Sequence, residues 1–252
     1  MTVETGNCSA AQAQSERSAN RGLWETIETR LWSDGSVAKL DPYQTTMADV
    51  ERYEAFAVMT SGRGRRYARC TFDNLRPPAT NAIQFRRVVH NLRKFCEAMP
   101  DRLSAAEGSV VLLGPPGTGK DHMLVALMGS AIVDHGFQVQ WSDGLRLYAQ
   151  IKAAISSNNT EDLLRAYSNV QILALSDPVP PRDELSSYEM MILRDIIERR
   201  YSTGRATWVT TNVMTPDDAK RLFTEALLGR IRHGALELFC NWESHRTTQR
   251  DR

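Results

Sequence analysis

The sequence predicts an α/β fold, a five-stranded parallel sheet flanked by helices, with a small helical region before it. Two observations carry this. From residue 109 onward, short apolar runs alternate with amphipathic helical stretches, the pattern of a parallel sheet covered on both faces. At one strand-to-helix junction stands Gly114-Pro115-Pro116-Gly117-Thr118-Gly119-Lys120-Asp121, which fits a phosphate-binding loop except at its last position, where a Ser or Thr belongs.

The elements follow in order. Residues 1–20 are polar and aperiodic and are expected to be disordered. Leu23, Trp24, Ile27 and Leu31 mark one face of a short helix, and Met47, Val50, Tyr53 and Ala57 mark a second. Asp41-Pro42 forms a break between the two. Two helices this short bury little by themselves, so their apolar faces must dock on the main domain or on a partner. The run Gly62 to Arg69 reads as a basic linker. Residues 61–102 hold ten Lys/Arg against three Asp/Glu, a local excess suited either to phosphate-backbone contacts or to an ordinary solvated face. Within it, Phe85, Val88, Val89, Leu92, Phe95, Cys96 and Met99 keep a helical period. Strands are then expected at 110–113, 137–141, 171–175, 206–211 and 235–240. Helices are expected at 119–133, 143–156, 160–167, 186–201 and 216–228.

The loop's chemistry is readable from its residues. Its glycines let consecutive N–H groups turn inward around a phosphate, the following helix adds its positive end, and Lys120 supplies a point charge. Together Gly114 through His122 make a nucleotide-phosphate cradle at the carboxyl end of a strand, where ligands of such sheets bind.

The rest of the composition bounds the function. A net charge of +1, from 31 basic and 30 acidic residues, gives no global attraction to nucleic acid. Cys8, Cys70, Cys96 and Cys240 are scattered without metal-ligand or disulfide spacing. There is no membrane-length apolar stretch and no signal-peptide core. A reduced, cytoplasmic protein is expected.

Several ordered segments resemble the DnaC/IstB-like ATPases, a branch of the AAA+ superfamily of P-loop NTPases. They are Tyr67 to Asn74, the phosphate loop with its helix, Phe137 to Trp141, Arg199 to Asn212, Leu228 to Gly234 and Asn241 to Arg246. The last of these leans toward the DnaC side. The resemblance implies ATP and Mg2+ as cofactors. It also implies domains of 21–66 (helical partner-binding region and linker) and 67–252 (ATPase). Asn212 would be the sensor that orients the attacking water. Arg230 would be an arginine finger reaching a neighbouring subunit's nucleotide, with Arg232 as substitute, and Arg246 a second sensor acting in the same subunit. A finger in trans implies a homo-oligomer.

Two departures from the family pattern bear on the metal. The third strand reads Ile172 to Asp177, so Ser176 stands where the family has the first Asp of a pair and Asp177 stands at the second. In the loop, Asp121 replaces a hydroxyl. A carboxylate and a hydroxyl have changed places across one metal site, which would keep oxygen ligands for magnesium. Asp121, Ser176 and Asp177 are therefore the candidate metal residues, and the catalytic set is Asp177, Asn212, Arg230 and Arg246. A carboxylate beside phosphates also repels them, so weak ATPase activity is expected. Three functions follow from the resemblance. The first is a loader of a replicative DNA helicase onto single-stranded DNA; the others are an IstB-like transposition helper and a non-hydrolysing nucleotide-binding adaptor.

Overall fold

The computed structural model describes residues 46–64, 66–179, 185–215 and 217–246. The expected polar tail and the expected helix at 23–31 lie outside these. The chain divides into two units between Arg69 and Cys70.

In the first unit, helix α1 spans Met47–Ser61 and carries the expected positions Met47, Val50, Tyr53 and Ala57. Thr46 and Asp49 form a capping box that satisfies two backbone donors at its start.

The second unit begins with α2 (Ala82–Glu97) and α3 (Met99–Ser104). Then come β1 (Val110–Gly114), α4 (Lys120–Gly129), which runs into a π turn at Ser130–Asp134, and β2 (Val139–Asp143). Next are α5 (Gly144–Ser156), α6 (Thr160–Asn169), β3 (Ile172–Ser176), α7 (Ser187–Ser202) and β4 (Ala206–Asn212). Helices α8 (Asp218–Leu222) and α9 (Glu225–Arg232) and strand β5 (Leu236–Phe239) complete it. The strands form one sheet in the order β2-β3-β4-β1-β5, and every neighbouring pair is parallel.

Strand alternation divides the core. Val111, Leu113, Leu173, Leu175 and Val209 face α5, α6, α7 and α9 in one apolar cluster. The alternate positions face the other way, where Trp208 meets Phe95 of α2 edge-on at 6.3 Å. One expectation is corrected here. The single helix at 216–228 is two helices, because Phe223 turns extended and buries its ring while the Thr224 hydroxyl accepts from Leu227 N–H and starts α9.

Away from the loop, Arg200 is wholly buried at the end of α7. It donates to the carbonyls of Tyr167, Ser168, Val170, Gln171 and Ala206 and to the Thr207 hydroxyl. It therefore collects the carbonyls that α6 leaves open at its C-terminal end and ties them to β4. Burial, reinforced by Arg205, pulls its pKa down to about 9.

Candidate functional site

The phosphate loop is built by the end of β1 and the start of α4. Gly114 leaves β1 at φ 144°, and a Cβ there would lie 2.4 Å from the carbonyl oxygen of Cys240. Only glycine satisfies both the angle and the close approach. Gly114→Ala is therefore expected to cost about 2–3 kcal/mol and to lower the thermal midpoint by about 5–10 °C, measured by circular dichroism. The Thr118 hydroxyl donates to Pro115 O at 3.0 Å and braces the loop. Gly119, left-handed at φ 87°, precedes α4 and gives it no side-chain cap. The first N–H groups of α4 thus face the loop without a side-chain acceptor at the cap, which suits an anion.

Lys120 is buried beneath the loop. Its ammonium donates to Gly114 O, Pro115 O and Asn212 Oδ1 at 2.8–2.9 Å, using all its N–H groups. Burial lowers its pKa, and Asp177 is the largest opposing influence. Asn212 in turn donates to Asp177 Oδ2 at 2.8 Å. Asp177 continues the ladder past β3, its N–H reaching Thr210 O, then turns left-handed at φ 42°, a conformation Asp tolerates better than most residues. Its other oxygen, Oδ1, is buried and has no hydrogen-bond partner among the described residues. Burial and then the Asp121 charge push the Asp177 pKa up to about 6.

Asp121 is held by a residue that the motif reading did not single out. Thr210, fully buried in β4, donates to Asp121 Oδ1 at 2.9 Å. Ser176 is its register partner on β3, so Asp121 and Ser176 flank the same threonine. The Ser176 hydroxyl accepts from the Trp141 indole N–H at 2.9 Å. The signal for Thr210 was present in Thr210-Thr211-Asn212: strand alternation places Thr210 on the same face as Asn212.

The 240–246 segment wraps the loop. The Trp242 indole donates to Thr118 O, and His245 N–H donates to Gly117 O, both at 2.9 Å. Glu243 receives the N–H groups of Ala79 and Thr80, and Phe85 of α2 packs edge-on against Trp242 at 5.2 Å. Arg246 lies close enough to influence both Lys120 and Asp177 electrostatically. Burial pushes the Cys240 thiol up to about 12, which keeps it neutral beside Lys120.

His122 lies in the first turn of α4, but its ring nitrogen is bonded to Thr71 O (2.9 Å) and Asn74 Oδ1 (2.8 Å). That bonding ties the 71–74 segment to α4. Arg230 and Arg232 end α9 just before β5, at the amino edge of the sheet and opposite the loop. Arg230 pairs with Glu198 at 2.5 Å and sits over the Tyr201 ring. Arg232 is bidentate to Glu237. Neither reaches the phosphate loop of its own chain.

A phosphate loop on the second strand from the edge of a β2-β3-β4-β1-β5 sheet, with Asn212 ending the adjacent strand, defines a P-loop nucleotide-binding protein of the AAA+ type. The chain belongs to the IstB-like ATP binding protein family, whose model matches residues 89–252. It is 30% identical to a replicative helicase loader DnaC of Buchnera aphidicola (strain APS), over 74% of this chain and 73% of that protein. It is also 30% identical to an insertion sequence IS21 putative ATP-binding protein of Pseudomonas aeruginosa, over 56% of this chain and 54% of that one. In fold it resembles the crystal structure of the DnaC helicase loader, with TM-score 0.61 and 22% identity, covering 69% of this chain and 98% of that one. Among the described residues no helix is long and apolar enough to cross a membrane.

Proposed function

We propose that this chain is an ATP-binding helicase loader of the DnaC type, which helps deliver a replicative DNA helicase to single-stranded DNA. The observation that carries the reading is the 30% identity to a replicative helicase loader across 74% of the chain. The match to the IS21 protein is equally identical but spans only 56%, which favours loading over transposition. Residues 67–252 act as the ATPase domain, and the region from 21 to 66 grips the helicase.

In this reading the loop N–H groups and Lys120 hold the phosphates. Asn212 orients the attacking water, with Asp177 beside it to accept its proton, and Arg246 balances charge from the same subunit. Arg230 leaves Glu198 to reach the nucleotide of a neighbouring copy, so turnover needs an oligomer. The donor set suits magnesium. Asp177 Oδ1 is a buried carboxylate oxygen with no hydrogen-bond partner among the described residues, and Asp121 and Ser176 flank Thr210 beside it. Magnesium takes one or two carboxylates together with substrate phosphates, and Asp121, Ser176 and Asp177 would hold it. When bound, the ion neutralises phosphate charge.

The test is capture of a replicative helicase by the tagged full chain, with and without ATP. A nucleotide-sensitive complex is expected. Failure to form any complex, with ATP binding intact, would sink the loader reading. If the chain instead binds its nucleotide and never turns it over in any assembly, it is an adaptor rather than an ATPase.

A further inference from the structure

We infer that Trp141 is a positioning residue of the magnesium site: its indole N–H fixes the hydroxyl of Ser176, the residue that stands where the family has a carboxylate. The assignment rests on the reading above, in which Asp121, Ser176 and Asp177 hold the ion. A serine offers one neutral oxygen where an aspartate offers two charged ones, and that oxygen moves among rotamers unless something holds it. Trp141 supplies the hold. Its indole nitrogen lies 2.9 Å from Ser176 Oγ. An indole N–H can only donate, so it takes one lone pair of Oγ and leaves the other lone pair and the O–H for a ligand.

Strand register explains how the ring reaches. Trp141 on the edge strand β2 is level with Ala174 on β3, and Ser176 lies two residues further along the same face. The small Ala174 side chain lets the half-buried Trp141 ring lean toward the carboxyl end of the sheet. Trp208, level with Ala174 on its other side, gives its N–H to Gly108 O at 2.8 Å, at the amino end. Two tryptophans on one face thus spend their donors at opposite ends, and only that of Trp141 meets the nucleotide end. The groups level with Ser176 are engaged elsewhere. Asp143 Oδ1 accepts from Arg146 N–H at the start of α5, and the Thr210 hydroxyl donates to Asp121. The backbone beyond Ser176 is fixed separately. The Tyr148 hydroxyl donates to Pro178 O at 3.0 Å, and a Cβ on Gly144 would lie 2.7 Å from that same oxygen. What Trp141 sets is the Ser176 side chain. Each half of the exchanged pair therefore has a donor on a neighbouring strand: Thr210 for Asp121, Trp141 for Ser176.

The experiment is isothermal titration of the full chain with a non-hydrolysable ATP analogue, once in magnesium and once in EDTA. The ratio of the two affinities is the readout, because a purely structural change moves both alike. Trp141→Phe keeps an aromatic ring and loses the N–H. Its ratio is expected to fall about fivefold, the worth of one hydrogen bond, while the affinity in EDTA holds. In a Ser176→Ala background the same change is expected to do nothing more, because the group it positions is gone. An unchanged ratio for Trp141→Phe overturns the inference. So does an equal loss in both buffers, or a loss that persists undiminished with Ser176→Ala, either of which makes Trp141 a packing residue. A native chain whose affinity ignores magnesium removes the cation reading itself, and this inference with it.

Discussion

Arg200→Met is expected to lower the unfolding free energy by about 4 kcal/mol, read from urea denaturation. The side chain it removes is wholly buried and satisfies five carbonyls and one hydroxyl. Methionine fills much of the volume but donates nothing, so those carbonyls stay buried and unpaired. Arg200→Lys should recover only part of the loss, because one ammonium cannot span acceptors on α6, the following turn and β4. Thr207→Val, which removes a single acceptor, should cost about 1 kcal/mol. Arg200 stands at the amino edge of the sheet, so nucleotide affinity per folded molecule should not change. A loss under about 1 kcal/mol for Arg200→Met would show that the carbonyls find other partners.

Asp121→Ser should raise ATP affinity in the absence of magnesium by at least about tenfold, because a carboxylate about 4 Å from phosphate costs up to about 4 kcal/mol at an effective dielectric near 20. With magnesium present the gain should shrink, since the native carboxylate then meets the ion. The pair Asp121→Thr/Ser176→Asp restores the common arrangement and should keep magnesium dependence while speeding turnover. Isothermal titration with and without magnesium reads the first effect and phosphate release the second. If the double change moves neither affinity nor turnover, the two residues have not exchanged roles. Thr210 enters the same test. It anchors Asp121 in the native chain, and Thr210→Val should weaken the magnesium dependence without altering Lys120.

Much of the sheet was legible because parallel strands are buried on both faces. Val110 to Leu113 and Ile172 to Leu175 are apolar at every position, and only a strand fits so short a run between turns. The break at Phe223 was not legible, since nothing in Asp218 to Arg232 disturbs the helical period; the ring's burial decides it. In the site, the loop was legible from its motif, and the role of Asn212 rested on the family resemblance. Thr210 was not legible, because its importance comes from facing Asp121 across 89 residues of sequence. The direction of the His122 ring was hidden for a related reason, since it is set by Thr71 and Asn74, 51 and 48 residues earlier.

The order of the strands has a consequence for how the protein is made. Strand β4 lies between β1 and β3, and the cover over the phosphate loop comes from residues 240–246. A ribosome therefore releases the loop sequence well before the strand that must slide in beside it. It releases the cover later still, about 6–25 s after Lys120 at typical synthesis rates. During that interval the nascent chain has edge strands in need of a neighbour and a cradle without its roof. The covered form of the nucleotide site is therefore reached only once residues 240–246 have joined the loop.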